Sequence, residues 1–521
     1  MTPSARMISQ NTRKERSGKL LILIDTILYS GSTLISQNIA FVVAIYIRHA
    51  VGPEAMGIWA LLQVFLNYAT YGNVGMLNAV AREVPLLRSK SGSEEKIQRI
   101  VNVGFTYLIA VGLITSALIV LAAFLFRNRF SEPMFYSILA LAVINFLQRP
   151  NNYLIQLLHV RKQFKIVSKF KVYSAIVNAV LVVALTWKFN LYGLFIGSIF
   201  SYIFNIVYLQ IVGQNPMRLQ WNWPETVQLL RLGASLFLLT MANTFFNSID
   251  KIAISKFLGL KALGIYTLAT LAGSYIFMLP NVFQIVLYPR TLEKFGDRKD
   301  QRSHEAYSVV PAKLMSVYFA LCTGICWILA SYLCPLFLPK YVEGVSALKV
   351  MTYGYCFLAL SQQAGHILIA YKRHVYAIPS LIALSLLVFW VSYNLLRMGG
   401  NVTHIAMVMM LACMVQYIVC AWLALKPIYT LSKAIAQIIA TLIPLIYSAS
   451  VLWFLDFVWP KDSFAVMLFK FFAYLVAWCV LLLLLEQNFG TFKILKEMLD
   501  SWRRSKQRDL VDTDSLEVRP L

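Results

Sequence analysis

One stretch of this sequence occurs twice. Ile39 to Ala60 reads IAFVVAIYIRHAVGPEAMGIWA and Phe246 to Thr267 reads FNSIDKIAISKFLGLKALGIYT, so Gly52 falls on Gly259, Gly57 on Gly264 and Trp59 on Tyr266 at one constant offset. In each copy an apolar helix ends in a short Gly-bounded turn, and a second helix starts at Gly-Ile-aromatic. Glycine permits the tight backbone there, and the aromatic belongs at a membrane interface. A repeat of this length inside an apolar chain points to a two-lobed transporter with its substrate path between the lobes.

The chain has 521 residues, of which 59% are hydrophobic and only 13% charged. Soluble proteins carry about 25% charged residues, so this chain belongs in a bilayer. The net charge of +24 would suggest nucleic acid in a soluble protein. Here the basic residues sit between apolar spans, where the positive-inside rule places them, and nucleic-acid binding is set aside. The seven cysteines all lie in the second half without CxxC spacing, and imply neither a metal nor a disulfide framework.

Residues 1–19 are basic and precede an apolar stretch from Leu20 to Ile47 that is too long for a signal-peptide core. It reads as an uncleaved first span with a cytoplasmic N-terminus. Further spans are expected near 58–80, 101–126, 133–158, 170–187, 191–211, 232–256, 264–288, 311–333, 347–371, 377–396, 402–425, 434–455 and 464–485, about fourteen in all. Lys and Arg concentrate heavily in the connections on the side of both termini, which supports cytoplasmic ends. The repeat returns downstream at a slightly larger offset, where Arg161-Lys162 meets Lys372-Arg373 and Asn190 meets Asn401. Six spans therefore match six, in the parallel sense.

The expected architecture is an all-α integral membrane protein. It has a cytoplasmic N-tail (1–19), an N-lobe of six helices (20–211), a cytoplasmic linker (212–231), a C-lobe of six helices (232–425), two peripheral helices (434–485) and a cytoplasmic C-tail (486–521). In that tail Phe489, Phe492, Leu495, Leu499 and Trp502 fit an interfacial amphipathic helix.

Ionisable groups inside spans are costly and usually face protein or a water-filled cavity. In the fourth span Asn145, Arg149, Asn152 and Gln156 follow i, i+4, i+7, i+11 and share one stripe. The stripe suits a cavity wall; the alternative is that Arg149 caps the carbonyls of a neighbouring helix. In the first span Asp25, Tyr29, Ser32 and Ser36 share a face, with Gln37 and Asn38 nearby. Asp25 is either a carrier of a coupling proton or cation or a carboxylate placed by the helix dipole. In the seventh span Thr240, Asn243 and Asn247 lead to Asp250 and Lys251, which diverge around the helix; Asp250 is a second ion-coupling candidate, and Lys251 either meets substrate or snorkels. The tenth span adds Gln362 and His366. Lys470, in the added pair, is expected to snorkel outward. No HExxH, Walker A, GxSxG or Cys/His cluster with ligand spacing is present, so no catalytic or metal residues are assigned and no cofactor is expected beyond a coupling H+ or Na+.

The run Arg48, Gly52-Pro53-Glu54, Gly57-Ile58-Trp59, Gly72, Gly75 and Ala81-Arg82 resembles the N-terminal signature of bacterial polysaccharide flippases of the Wzx type, in the polysaccharide-transporter branch of the multidrug/oligosaccharidyl-lipid/polysaccharide (MOP) superfamily. Asp250-Lys251, Gly259, Gly264 and Tyr266 resemble that family's mid-chain repeat. The resemblance implies twelve core helices in two lobes around a central cavity, plus two peripheral helices, in a bacterial inner membrane. It implies a substrate too: a polyprenyl diphosphate carrying a sugar repeat unit, moved from the inner to the outer leaflet, with polymerase or assembly proteins as partners. Arg149 would hold the diphosphate, and the Asn and Gln stripes the sugars. The rival within transport is a multidrug or cation extruder, or a lipid II flippase, of the same superfamily. The rival outside it is a membrane glycan polymerase or ligase, which the short outer connections disfavour.

Overall fold

The computed structural model describes residues 28–89, 94–213, 217–277, 309–371, 373–427, 429–460 and 463–489. Asp25, the N-tail and the amphipathic pattern beyond Phe489 lie outside the described residues. Within them every regular element is helical. In order these are α1 (Leu28–Val51), α2 (Pro53–Ala69), α3 (Met76–Ser89), α4 (Glu94–Leu125), α5 (Glu132–Val160), α6 (Phe164–Gly213), α7 (Trp223–Phe246), α8 (Ile249–Phe257), α9 (Gly259–Ile276), α10 (Val310–Phe337), α11 (Val345–Ala370), α12 (Ala377–Arg397), α13 (Val402–Leu425), α14 (Leu431–Val458) and α15 (Phe464–Phe489).

Eight of the described helices are long and apolar enough to cross a bilayer, or nine if the bent pair Trp223–Ala234 and Phe237–Phe257 is one span. The protein is therefore a multi-pass membrane protein. The expected count of about fourteen is not reached among the described residues, for physical reasons. At 17 residues α2 is short for a crossing. The 50-residue α6 joins two expected spans in one helix, and residues 278–308 are not described. The break expected between 187 and 191 is present inside α6, where Asn190 adopts φ 49°. The two limbs fold back on one another: Gly197 lies against Val182, and Asn178 Nδ2 donates to Ser201 Oγ at 3.2 Å.

The described residues form two compact units. The first comprises residues up to 277 with 334–351 and 375–412. Its local geometry reproduces the sequence repeat. Gly52 and Gly259, matched in the repeat, have φ 81° and φ 84°, a region open to glycine without cost. Each turns the chain from one helix into the next, α1 into α2 and α8 into α9. At the start of α2, Pro53 at the first helical position and Glu54 in the first turn suit the helix N-terminus. α2 and α9 then pack so tightly that Gly57 lies against the backbone of Leu260, and Gly264 against that of Pro53.

The second unit comprises residues 309–333, 352–374 and those from 413 onward. Here α14 and α15 are fastened to α10 by polar contacts inside an apolar bundle. Ser448 Oγ and Tyr474 Oη share a hydrogen bond of 2.7 Å, and Ser448 meets Thr323 Oγ1 at 3.1 Å. Lys470 is only 3% exposed, and its Nζ lies 2.8 Å from Asp456 Oδ1, while Trp327 Nε1 donates to the other carboxylate oxygen at 2.8 Å. The expectation that Lys470 snorkels outward is thus corrected: a carboxylate on the facing helix offers it a partner within the bundle, so the ammonium stays there.

Candidate functional site

The first unit contains a cavity of about 910 Å³ lined by α1, α2, α5, α6, α8 and α9. Three basic side chains reach its wall: Arg48 from α1, Lys171 from α6 and Lys251 from α8. The lining holds no carboxylate. Arg48 is 6% exposed; its Nη1 donates to Ala44 O and its Nη2 to Thr267 O, both at 3.0 Å. Lys171 Nζ donates to Thr33 Oγ1 at 2.9 Å and lies 3.7 Å from the centre of the Tyr29 ring, a cation–π contact. Lys251 Nζ donates to Asn247 O at 3.0 Å. The described ion pairs lie elsewhere, at Arg88–Glu94, Arg99–Glu225 and Asp456–Lys470, and none involves these three cations. Among the described residues, the hydrogen bonds and ring contact of these three cations are to neutral oxygens and a ring face.

The rest of the wall is rich in neutral hydrogen-bonding groups. Six amides line it: Gln37, Gln63, Asn67, Asn151, Asn178 and Asn205. Trp59 and Tyr266, which correspond in the repeat, both face the same space. Behind Tyr266 lies Asp250, 2% exposed, whose Oδ2 accepts the Tyr266 hydroxyl at 2.5 Å and whose Oδ1 accepts the Lys251 backbone N–H at 2.8 Å. Asp250 and Lys251 thus diverge around α8 as their adjacency requires, one toward Tyr266 and the other to the cavity wall.

Of the residues marked in the sequence, Lys251 is in the lining and Asp250 stands one contact behind it. Arg149 is outside the lining and does what the alternative described. It is 4% exposed, donates to Thr70 O at 3.0 Å and Ala69 O at 2.5 Å, and so caps the carbonyl end of α2. Asn145 supports it, accepting from Arg149 Nη2 at 3.0 Å while its amide nitrogen binds Thr115 and Ser116 of α4 at 2.9 and 2.8 Å. The α5 stripe is therefore a packing network in its first half. Asn152 accepts from Asn151 Nδ2 at 3.3 Å, and Gln156 is half-buried; neither belongs to the lining. Asn243 Nδ2 donates to Leu239 O at 2.9 Å, and Asn247 contributes its carbonyl to Lys251. Gln362 and His366 lie on α11 within the second unit.

Arg48 and Lys171 line the cavity although each stands at a span margin, where a basic residue is ordinarily a topology signal. A usable signal was present. Arg48 continues the Ser36 face of α1 through Ala40 and Ala44 at four-residue steps, and Lys171, Ser174 and Asn178 follow i, i+3, i+7 on α6. Ser198, Ser201 and Asn205 repeat that spacing on its second limb.

Known structures share this fold. A lipid II flippase MurJ in an inward closed conformation superposes with a TM-score of 0.65 at 14% identity, covering 89% of this chain and 99% of its own. An inward-facing multidrug-resistance MATE family transporter of the MOP superfamily gives 0.63 at 13% identity, over 78% of this chain and 99% of that one. A MOP superfamily transporter from Pyrococcus furiosus, described as having a binding pocket of reverse polarity, gives 0.55 at 15% identity, over 78% and 95%. No curated protein matches the chain. The model of one protein family, described as polysaccharide biosynthesis protein, matches residues 49–341, more than half of the sequence. The chain, whose fold is of the MOP type, belongs to the polysaccharide biosynthesis protein family.

Proposed function

We propose that this protein is a flippase that moves a polyprenyl-diphosphate-linked oligosaccharide repeat unit from the inner to the outer leaflet of a bacterial cell membrane, as a transporter rather than an enzyme. One observation carries this above a cation extruder: the cavity wall presents Arg48, Lys171 and Lys251 and no carboxylate. A diphosphate needs cationic partners where the dielectric is low, and the planar guanidinium of Arg48 can offer two parallel donors once it releases a carbonyl. An extruder of cationic drugs needs the opposite sign of charge.

In this account the lobes 20–211 and 232–425 rock about the cavity and expose it to each side in turn, with both termini in the cytoplasm. The lipid tail stays in the bilayer while the headgroup crosses among polar side chains. Asp250, hydrogen-bonded to Tyr266 at the cavity wall, is one candidate to couple the cycle to a proton or Na+ gradient. Asp25 is the second candidate. Polysaccharide polymerase and assembly proteins are the expected downstream partners.

The test is mass spectrometry of polyprenyl-linked glycans from a strain lacking the gene, together with its surface polysaccharide. Accumulated lipid-linked repeat units with missing surface polymer are expected. Unchanged lipids with altered drug sensitivity would replace the flippase by an extruder.

A further inference from the structure

Every Asn and Gln in the cavity lining comes from the first half of the chain. The second half contributes Lys251, Leu263, Tyr266, Thr267, Thr270 and Leu271, none with an amide side chain. Three of the first-half amides carry a buried oxygen with no hydrogen-bond partner among the described residues: Gln37 Oε1, Asn151 Oδ1 and Asn205 Oδ1. Asn151 and Asn205 are themselves only 5% and 7% exposed. An amide oxygen left unpaired in a membrane protein is costly, because no bulk solvent is at hand to satisfy it. Such groups on three different helices, at one cavity, are acceptors for which the described residues supply no donor. Beside them the hairpin of α6 adds Asn178, which reaches only Ser201.

These groups are neutral, and Gln37 stands apart from Arg48. Gln37 and Arg48 lie three turns apart on α1, about 16 Å along the axis, a separation much longer than a diphosphate. Phosphate recognition by Arg48 and hydrogen bonding by Gln37 must therefore involve different parts of one elongated headgroup. Amides are matched to sugar hydroxyls, since each offers both an acceptor and two donors to a group that is itself donor and acceptor. Binding sites built this way discriminate strongly, because a sugar lacking the matched hydroxyl leaves the amide unpaired.

We propose that Gln37, Asn151, Asn178 and Asn205 form a glycan-reading wall in the N-terminal half, which sets the sugar specificity of the protein separately from the diphosphate contact of Arg48. This rests on the flippase reading. It assigns sugar recognition to α1, α5 and α6, and none of it to Asn243 on α7.

The experiment measures binding of two lipids to the full-length protein in detergent by thermal stabilisation. One is undecaprenyl diphosphate without sugar; the other is the undecaprenyl-diphosphate-linked repeat unit extracted from the source strain. The variants are Gln37→Ala/Asn205→Ala, Asn178→Ala and, as control, Asn243→Ala. Ligand-free melting temperatures identify any variant that fails to fold, and the wall residues are spread over three helices so that one can stand in for another. Wild type is expected to bind both lipids, the glycosylated one more tightly. Gln37→Ala/Asn205→Ala is expected to lose about tenfold in affinity for the glycosylated lipid, the size of two lost hydrogen bonds, and to keep its affinity for undecaprenyl diphosphate. Unchanged affinity for the glycosylated lipid, or equal loss for both lipids, would overturn the wall. Wild type that binds neither lipid would instead overturn the flippase reading itself, and the wall with it.

Discussion

Gly57 and Gly264 hold the same place in the two halves of the chain and meet across the contact of α2 with α9. A β-carbon on Gly57 would collide with the carbonyl oxygen of Leu260, and one on Gly264 with that of Pro53. Pro53 and Leu260 are themselves repeat partners. The contact therefore maps onto itself when the two copies are exchanged, the mark of a local two-fold relation. Cavity-facing Trp59 and Tyr266 sit two residues further along each helix, so this contact sets how far apart the two aromatic faces stand.

Replacing either glycine by alanine forces α2 and α9 apart. Gly57→Ala and Gly264→Ala are each expected to destabilise the protein by about 1–3 kcal/mol, the usual cost of overpacking. Gly31→Ala, with nothing within 4 Å of the added carbon, should be neutral or slightly stabilising. Thermal unfolding of the purified protein distinguishes the two classes. Gly57→Ala melting like wild type would remove the close contact from the account.

Arg149 is expected to act on stability rather than on substrate. Arg149→Ala strips the donors from Ala69 O and Thr70 O at the end of α2 and from Asn145 Oδ1. The cost should be about 1–3 kcal/mol for buried acceptors left unpaired. Glycolipid affinity of the folded protein should change by less than about twofold, measured by titration at a temperature where the variant is folded. A large loss of affinity in a fully folded Arg149→Ala protein would return this arginine to the binding site.

The comparison of Arg149 with Arg48 shows what was legible in the sequence. Apolar runs, the Gly-bounded repeat and the break at Asn190 all declare themselves locally, because helix length and turn chemistry depend on neighbours in the chain. The parallel repeat even anticipates the matched φ values of Gly52 and Gly259. Which polar stripe faces a cavity depends on how helices rotate against one another, and no single helix records that. The Asn145–Arg149 stripe is spent on α2 and α4, whereas the weaker-looking stripes of α6 reach the cavity. Lys470 misled for the same reason, since Asp456 comes close only when α14 and α15 are paired.

Lys470→Met is expected to leave Asp456 without its cation inside the second unit. Asp456 keeps the Trp327 donor and is 32% exposed, so the loss is moderated by solvent to about 2 kcal/mol. The double variant Lys470→Met/Asp456→Asn should recover much of it, because no charge is then stranded. A thermodynamic cycle over the two single variants and the double one measures the coupling; strictly additive effects would mean the pair contributes nothing.

Asp250→Asn tests ion coupling. The amide keeps the size of the side chain; its oxygen can still accept from the Lys251 N–H while its NH2 donates to the Tyr266 hydroxyl oxygen, but it cannot exchange a proton or neutralise a cation. Transport by the variant in vesicles is expected to lose its response to an imposed proton or Na+ gradient while downhill movement persists. A full gradient response in Asp250→Asn would pass the role to another carboxylate, with Asp25 next in line.

The central claim is that a basic cavity carries the diphosphate across the membrane. It is tested most directly in proteoliposomes loaded with the undecaprenyl-diphosphate-linked repeat unit, by following how fast the glycan becomes accessible to an impermeant lectin on the opposite face. Wild type is expected to accelerate exposure well above protein-free vesicles. Lys251→Gln, losing one charge-assisted contact of about 1.5–3 kcal/mol, is expected to slow it roughly ten- to a hundredfold with the fold intact. Exposure no faster than in protein-free vesicles, or a Lys251→Gln variant as fast as wild type, would contradict the account.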